Sequence, residues 1–272
     1  MPSLLLVLAL AVSSLVSAAA SGGHDGHGAA ASSASSASSA SSAEAARVGL
    51  PLAGRIIVID PGHQLGNARH LAQIGKLVPA GDGEKPCNTT GTATDGGYPE
   101  ATFTWQVAKR IRARLQRLGA KVLMTRTSNS ASAWGPCVDQ RGRRGNKAHA
   151  DLKLSIHGDG TFARGAHGFH VIYAPDRGRT ADTYAASRRY ALATRTALEQ
   201  GGFSPANYIA GGTGLDVRGD LGTLNLSNMA TVMVECGNMR DPGDAARMTS
   251  ARGQAAYAKA LVAGIRADLA AR

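Results

Sequence analysis

The feature that most constrains the fold of this chain is a series of five short apolar runs with segments of helical pattern between them. The runs lie at residues 55–60 (RIIVID), 121–125 (KVLMT), 152–157 (LKLSIH), 168–173 (GFHVIY) and 230–235 (ATVMVE). Each run has the length of a strand and is shorter than a typical buried helix. Since the runs are apolar along most of their length, both faces of the resulting sheet are expected to be covered.

The segments between these runs carry the helical patterns. In residues 100–118, one face is formed by Phe103, Val107, Ile111, Leu115 and Leu118, and Gly119 ends the segment. Further helices are predicted over residues 138–149, 180–200 and 254–271. Because strands and helices alternate, we predict an α/β fold. It is a single domain with a twisted, mostly parallel (mixed) sheet of about six strands and helices on both faces.

The first 46 residues have a different character. Residues 4–12 (LLLVLALAV) form an apolar run that is too short to span a bilayer, which needs about 20 residues, and small-x-small cleavage signals follow it. We therefore predict a signal peptide over residues 1–20, with a buried N-terminal helix as the alternative. Residues 21–46 are low in complexity and rich in Ser, Ala and Gly, which predicts a disordered linker. The folded domain is then 47–272, and we expect it to be secreted to the periplasm or cell wall, with no stable membrane insertion after cleavage.

Charge is concentrated in that domain. Residues 1–46 hold two of the 19 acidic residues and none of the 30 Lys and Arg residues, so the remainder carries 30 positive against 17 negative charges, or +13. A basic body favours an anionic partner such as nucleic acid, a membrane surface or an acidic polymer. Aromatic residues make up only 4% of the chain, which removes the stacking platforms of single-strand binders. We therefore expect no nucleic-acid partner.

Cysteine usage fits an exported protein, in which disulfides are permitted. Cys87 lies in a Gly- and Thr-rich loop and Cys137 in a Gly-Pro-Cys turn, so both are expected to be exposed and to pair with each other. Cys236 ends an apolar strand and is expected to be a buried free thiol. Residues 64–99 form a long segment without clear periodicity, which is typical of a functional or crosslinked loop.

Polar residues stand where several predicted strands end. His63 follows the first strand, while His157 and Glu235 end two later ones, and Glu100 opens the first long helix. In open α/β sheets, ligands bind beyond the carboxyl ends of the strands, so these side chains are expected to be neighbours. Two histidines and a carboxylate form a common catalytic zinc site, with a further carboxylate as base. This predicts His63, Glu100 and His157 as ligands and Glu235 as base, although a lone strand-end histidine is more often structural.

Several motifs carry a resemblance to a known family. IIVIDPGH at 56–63, Glu100 at a helix start, TR at 125–126, LKLSIHGDG at 152–160 and VMVECGNMRDP at 232–242 occur in this order. The chain resembles, over roughly residues 55–270, the zinc-dependent N-acetylmuramoyl-L-alanine amidases, and its layout is similar to the secreted actinobacterial, mycobacterial-type members. The resemblance implies one Zn²⁺ ion held by His63, Glu100 and His157, with Glu235 as the catalytic residue.

The implied substrate is peptidoglycan or a muropeptide fragment. The implied reaction is hydrolysis of the amide between the lactyl group of N-acetylmuramic acid and L-alanine. The chain departs from the family at Gln64, at Gly158-Asp159 and at Cys236-Gly237-Asn238, which is expected to alter loop shape and substrate contacts rather than the metal ligands.

Five further residues have alternative interpretations. Arg126 and Arg218 are expected either to contact carboxylates of the stem peptide or to form surface ion pairs. Asn225 and Asn228 are expected either to bind peptide backbone or to shape the loop before the last strand. Asp60 is expected to support the metal ligands from behind or to cap the Pro-Gly turn.

Other functions also remain open from the sequence. The same zinc ligands serve other exported amidohydrolases, such as peptidoglycan carboxypeptidases and deacetylases. A non-catalytic wall-binding module is a further alternative, and Glu235 argues against it. We expect the protein to be a monomer.

Overall fold

The computed structural model describes residues 49–272. The predicted signal peptide and linker lie outside the described residues, so both stay predictions. Across residues 49–272, none of the helices combines the length and the apolar character needed to cross a membrane.

The strands are β1 (Ile56–Pro61), β2 (Leu77–Pro79), β3 (Glu84–Pro86), β4 (Lys121–Met124), β5 (Leu152–Asp159), β6 (His170–Tyr173), β7 (Leu215–Val217) and β8 (Ala230–Asn238). Six of them form one sheet in the order β4-β1-β5-β8-β6-β7, and β2 and β3 form a separate hairpin. Neighbouring strands of the large sheet are parallel except β6 and β8, which are antiparallel. The predicted mixed α/β sheet of about six strands is therefore confirmed. β7 and the hairpin were not predicted, because three-residue strands carry too little pattern.

The helices are α1 (Leu71–Ile74), α2 (Glu100–Arg117), α3 (Val138–Arg143), α4 (Ala181–Gln200), α5 (Gly222–Asn225), α6 (Pro242–Thr249) and α7 (Ala251–Ala270). The long helices α2, α4 and α7 pack together on one face of the sheet, where they cover the main core. The short helices α3 and α5 pack on each other and on the opposite face. The predicted stripe of α2 is buried in the core: Phe103, Val107, Ile111 and Leu115 are fully enclosed.

The predicted helix over residues 138–149 is shorter in the structure and ends at Arg143. Gly145 has a left-handed backbone with φ of 95°, which only glycine adopts readily, so the helix cannot continue through it. The ammonium group of Lys153, buried in β5, donates to the last carbonyls of α3, those of Arg141 at 2.9 Å and Gly142 at 2.5 Å. Lys153 therefore fixes the C-terminal end of this helix.

Strand register brings the predicted polar residues to one edge of the sheet. His157 on β5 lies opposite Glu235 on the parallel strand β8. His170 on β6 lies opposite Glu235 from the other side. β1 is parallel to β5, and Asp60 lies opposite Ser155 just before the chain leaves the sheet towards His63. The carboxyl ends of β1, β5 and β8 therefore meet at this edge.

The predicted disulfide between Cys87 and Cys137 is present, and Cys236 is a buried free thiol, as predicted. The expected exposure of Cys87 is wrong, because this residue is fully buried. Its carbonyl accepts a hydrogen bond from the N–H of Val138 at 2.7 Å, so the long loop is packed against the start of α3.

Loss of this disulfide is expected to destabilise the fold. The bond closes a loop of 50 residues, and the chain-entropy relation gives roughly 4 kcal/mol for a loop of about this size. A C87S/C137S double variant should show this loss in denaturant unfolding under oxidising conditions. Reductant should lower the unfolding midpoint of the wild type and leave that of the double variant unchanged. Equal midpoints for the two oxidised proteins would contradict the prediction.

Candidate active site

His63 lies directly after β1 in an uncommon backbone conformation. Its φ is 53°, in the left-handed region that few non-glycine residues adopt. Its ring Nδ1 lies 3.1 Å from the carbonyl oxygen of Thr89, which fixes Nδ1 as the protonated nitrogen. The other ring nitrogen, Nε2, lies 3.1 Å from Glu100 Oε2. Nε2 of His63 and the carboxylate of Glu100 therefore face each other.

Glu100 is the first residue of α2, and its carboxylate is almost fully buried. Oε1 accepts the N–H of Gly158 at 3.1 Å, and Oε2 accepts the N–H of Thr92 at 2.9 Å. Burial alone raises the pKa of this carboxyl, but the nearby His63 and His157 lower it well below its ordinary value. Glu100 is consequently held as a carboxylate with both oxygens in fixed directions.

His157 completes the group from strand β5. Its Nδ1 lies 2.9 Å from Glu100 Oε1, and its ring stands nearly perpendicular to that of His63, with 4.9 Å between the ring centroids. The ring of His157 lies directly against the backbone of Gly62, where an added Cβ would collide with it. The glycine of the first motif is therefore required for the two histidines to come together.

The donor atoms of His63, Glu100 and His157 all lie within 4.8 Å of one another. Two imidazoles and one carboxylate are the ligand set of many catalytic zinc sites. The carbonyl partner of His63 and the amide partners of Glu100 supply the outer hydrogen bonds that orient such ligands. The three residues thus form a possible metal-binding triad, and their chemistry fits zinc.

Glu235 lies beside the triad on β8, next to His157 in register. Among the described residues, its buried Oε2 has no hydrogen-bond partner. Burial raises the pKa of this carboxyl well above its ordinary value, and the negative charges of Glu100 and Asp159 raise it further, while Arg218 lowers it. Glu235 therefore has one carboxyl oxygen without a hydrogen bond, whereas both carboxyl oxygens of Glu100 accept one.

An open cleft runs along both sides of the triad. One arm is bordered by Lys85, Val138, Arg218, Asp220, Leu221 and Met233. The other arm is bordered by Gly91, Thr92, Asp159, Gly160 and Arg240. His63, His157 and Glu235 line both arms, so an extended substrate lying in the cleft would pass over them.

Comparison with known proteins identifies the family. The model of the N-acetylmuramoyl-L-alanine amidase family matches residues 57–267. The N-acetylmuramoyl-L-alanine amidase Rv3717 of Mycobacterium tuberculosis is 43% identical over 80% of this chain and 88% of its own length. The chain belongs to the N-acetylmuramoyl-L-alanine amidase family. The predicted activity, that of an amidase acting on peptidoglycan, is therefore confirmed.

Solved structures agree with this assignment for the amidase. Ami1 from Mycobacterium smegmatis superimposes with a TM-score of 0.76 at 42% identity, covering 81% of this chain and 99% of its own. Ami1 from Mycobacterium abscessus gives a TM-score of 0.73 at 45% identity over 80% of this chain and 99% of its own.

The departures from the family motifs shape loops in the amidase. Gln64 Oε1 accepts the N–H of Ser130 at 3.0 Å and so joins the loop after β1 to the one after β4. Asp159 accepts the hydroxyl of Tyr208 at 2.8 Å. Asn238 donates to the carbonyl of Ala166 at 2.8 Å. Gln64, Asp159 and Asn238 thus contact neighbouring loops, whereas Gly158 reaches the triad through its backbone N–H, which donates to Glu100 Oε1 at 3.1 Å.

Arg218 is the predicted substrate-binding residue that lines the cleft of the amidase. It is partly exposed and donates to both carboxylate oxygens of Asp220, at 3.0 and 2.8 Å. Lys85 on β3 donates to the same carboxylate at 2.7 Å. The rim of this arm therefore carries two cations and one anion.

Arg126 does not contact the cleft, and both sequence interpretations of it are wrong. It is 4% exposed. Its guanidinium donates to the carbonyls of Pro61, Ala101 and Ser128 at 3.1, 2.8 and 2.7 Å. In the sequence, the dipeptide Thr125-Arg126 after the strand does not indicate that the arginine side chain points into the protein.

Neither asparagine is placed to bind the substrate. Asn225 is buried and donates to the carbonyls of Ala80 and Gly219 at 2.9 Å each, which is the loop-shaping alternative. Asn228 is exposed before the start of β8. Since strands rise about 3.3 Å per residue, it lies roughly 20 Å along the chain from Glu235, at the opposite end of the strand.

Asp60 is fully buried and does not cap the turn, so that alternative is wrong. Its Oδ1 accepts Arg141 Nη1 and the hydroxyl of Thr125, each at 2.6 Å, and its Oδ2 accepts the hydroxyl of Ser155 at 2.7 Å. Burial alone raises the pKa of this carboxyl, but Arg141 and the two hydroxyls lower it to about 2. Arg141 is itself buried, with 3% of its surface exposed.

Asp60→Asn is expected to lower the free energy of unfolding by about 3–5 kcal/mol, because the Arg141 guanidinium stays buried without its carboxylate. The folded pKa of about 2 is below the ordinary value, so this contribution is present above about pH 4 and is lost as the pH falls through 2. Denaturant unfolding should show a large difference between variant and wild type at pH 7 and a small one near pH 2. The same difference at both pH values would refute this.

Proposed function

We propose that this amidase is zinc-dependent and hydrolyses the amide bond between the lactyl group of N-acetylmuramic acid and L-alanine of the stem peptide. The observation that carries the proposal is the convergence of His63, Glu100 and His157 on one point, with the free carboxyl oxygen of Glu235 beside it. His63, Glu100 and His157 would hold the zinc ion. When bound there, zinc would polarise the scissile carbonyl and acidify a water molecule.

Glu235 then acts as the catalytic base and acid. Its free Oε2 accepts a proton from the attacking water. The same carboxyl returns this proton to the nitrogen of L-alanine as the C–N bond breaks, so the amine leaves in neutral form. Water thus supplies the hydroxyl of the new lactyl carboxylic acid, which then loses its proton to solvent, and the added hydrogen of the new amine.

The cleft orients the substrate across this group. In one arm of the cleft, Arg218 supplies a guanidinium group and Lys85 an ammonium group. Both groups suit the carboxylates of a stem peptide. We assign Arg218 to stem-peptide binding. The opposite arm is open beside Gly91 and Gly160 and has room for the glycan side of the muramic acid.

We infer that the protein works outside the cell. The inference is supported by the predicted signal peptide, residues 1–20, and by the pairing of Cys87 with Cys137. The domain of residues 47–272 has a net charge of +13, which suits the anionic surroundings of a cell wall. We expect a monomer that acts on peptidoglycan or on muropeptide fragments.

The decisive experiment is digestion of purified peptidoglycan followed by mass spectrometry of the new ends. The amidase reaction releases stem peptides with a free L-alanine amine and leaves intact muramic acid lactyl carboxylates. Release of terminal D-alanine would instead indicate a carboxypeptidase, and release of acetate a deacetylase. Binding to the wall without new ends would indicate a non-catalytic module. Any of these three results would overturn the proposal.

A further inference from the structure

Two buried arginines contact the backbone of the segment that delivers His63 to the site. The carbonyl of Pro61 accepts Arg126 Nε at 3.1 Å and Arg141 Nη1 at 2.7 Å. The carbonyl of Gly62 accepts Arg126 Nη2 at 3.3 Å, and that of His63 accepts Arg141 Nη2 at 2.7 Å. Three successive carbonyls are thus bound by Arg126 and Arg141, which we call the arginine pair.

The guanidinium of Arg141 has no donor left for a substrate. Besides its bonds to the His63 segment and to Asp60, its Nε donates to the carbonyl of Pro136 at 2.9 Å and its Nη2 to that of Gly135 at 3.3 Å. A guanidinium has five N–H groups, and all five directions are occupied. Although Arg141 borders the cleft, its hydrogen bonds all face the protein.

The backbone of His63 gives these contacts their importance. A non-glycine residue with φ of 53° is held against a conformational preference of roughly 1 kcal/mol or more. The hydrogen bond from Arg141 to the His63 carbonyl fixes the peptide plane on the C-terminal side of this residue. If that plane rotates, the Cα–Cβ direction and the ring move with it, and metal–ligand distances tolerate only about 0.2 Å.

Arg126 extends the same control to a second ligand. Its Nη2 donates to the carbonyl of Ala101 at 2.8 Å as well as to that of Gly62. Ala101 follows Glu100 in the first turn of α2. One guanidinium group therefore joins the segment that ends in His63 to the helix start that carries Glu100.

We propose that the arginine pair positions His63 and Glu100 for metal binding, so that Arg126 and Arg141 are positioning residues of this amidase. The inference rests on the proposed function, since it takes those two residues as zinc ligands. In this proposal, the arginine pair sets the distance between two ligands that come from separate elements of the fold. Neither arginine touches the substrate or the reacting atoms.

The test measures zinc affinity apart from activity and stability. Full-length R126K and R141K keep the charge but cannot reproduce the several directed donors of guanidinium. T104V is a milder variant that removes a partner of Arg126, because Thr104 Oγ1 accepts Arg126 Nη2 at 3.3 Å and donates to the carbonyl of Gly62 at 2.9 Å, and valine has a similar shape without the hydroxyl. The matched control is R189M, which removes the contact of Arg189 with buried Asp268 on the helical face of the sheet. Zinc dissociation constants come from competition with a chelator, at a temperature where each variant is folded.

We expect zinc binding to weaken by about 10–100-fold in R126K and R141K, the range for changes in partners of metal ligands, and by a few fold in T104V. R189M should lower the unfolding temperature and keep the wild-type zinc affinity. Wild-type affinity in the folded lysine variants would overturn the inference while leaving the proposed function intact. If the lysine variants do not fold, wild-type affinity in T104V has the same consequence. A wild-type protein that binds no zinc would overturn the proposed function itself, and the inference with it.

Discussion

Replacement of Glu235 by glutamine is expected to lower kcat by about 10²–10⁴-fold, the usual contribution of general acid–base catalysis. Glutamine keeps the shape of the side chain, but its amide neither accepts the proton of the attacking water nor supplies one to the leaving nitrogen. Glu235 lies beside the triad and is not part of it. The zinc content and KM of E235Q should therefore stay close to those of the wild type.

The measurement is single-turnover hydrolysis of a soluble muropeptide, with metal content determined on the same samples. Glu199→Gln is a suitable control, because Glu199 is a partly exposed carboxylate at the end of α4, where it pairs only loosely with Arg195. Its kcat should equal that of the wild type. Undiminished kcat in E235Q would show that another group carries the proton.

Replacement of His157 by alanine is expected to abolish metal binding and to lower activity by at least about 10³-fold, since the metal supplies several kcal/mol of transition-state stabilisation. The loss removes one of three ligand atoms, and it also leaves Glu100 Oε1 without its imidazole partner. A chelator should reduce the wild type to the same residual activity. Added zinc should restore the chelated wild type and leave H157A inactive at the same zinc concentration.

The two variants together separate the roles of the site. E235Q should lose activity although it keeps its metal, whereas H157A should lose activity because it binds no metal. His170 provides the control for H157A, because it is a buried imidazole at the same sheet edge and lies opposite Glu235, yet it is not one of the triad. H170A should retain zinc. Full zinc occupancy in H157A would remove His157 from the ligand set.

The sequence predicted the elements that have a strong local pattern. Continuous apolar runs predicted five strands of the large sheet, and the 3.6-residue stripe of α2 predicted a helix over residues 100–118, one residue longer than the observed Glu100–Arg117. The helix after Val138 was predicted too long, because Gly145 and Lys153, which end it, act through a backbone angle and a contact with β5. Long-range contacts of this kind leave no periodic trace in the sequence.

The candidate site likewise has side chains that the sequence predicts and backbone contacts that it does not. The triad and Glu235 could be proposed because parallel strands bring their carboxyl ends together whatever the details of packing. The carbonyl of Thr89 and the amides of Thr92 and Gly158 could not, because any residue type supplies those backbone groups.

By itself, the sequence determined the fold class, the family and the four side chains that could carry the chemistry, because motif order and strand periodicity are local properties of the chain. Only the tertiary structure decided which cationic and amide side chains face the cleft. Arg126 and Arg141 lie in the interior, whereas Arg218 lies at the rim. The reason is that burial of an arginine depends on the carbonyls that distant segments present to it. Here those carbonyls belong to Pro61, Gly62 and His63, which lie 64 or more residues away along the chain from the arginine that they bind.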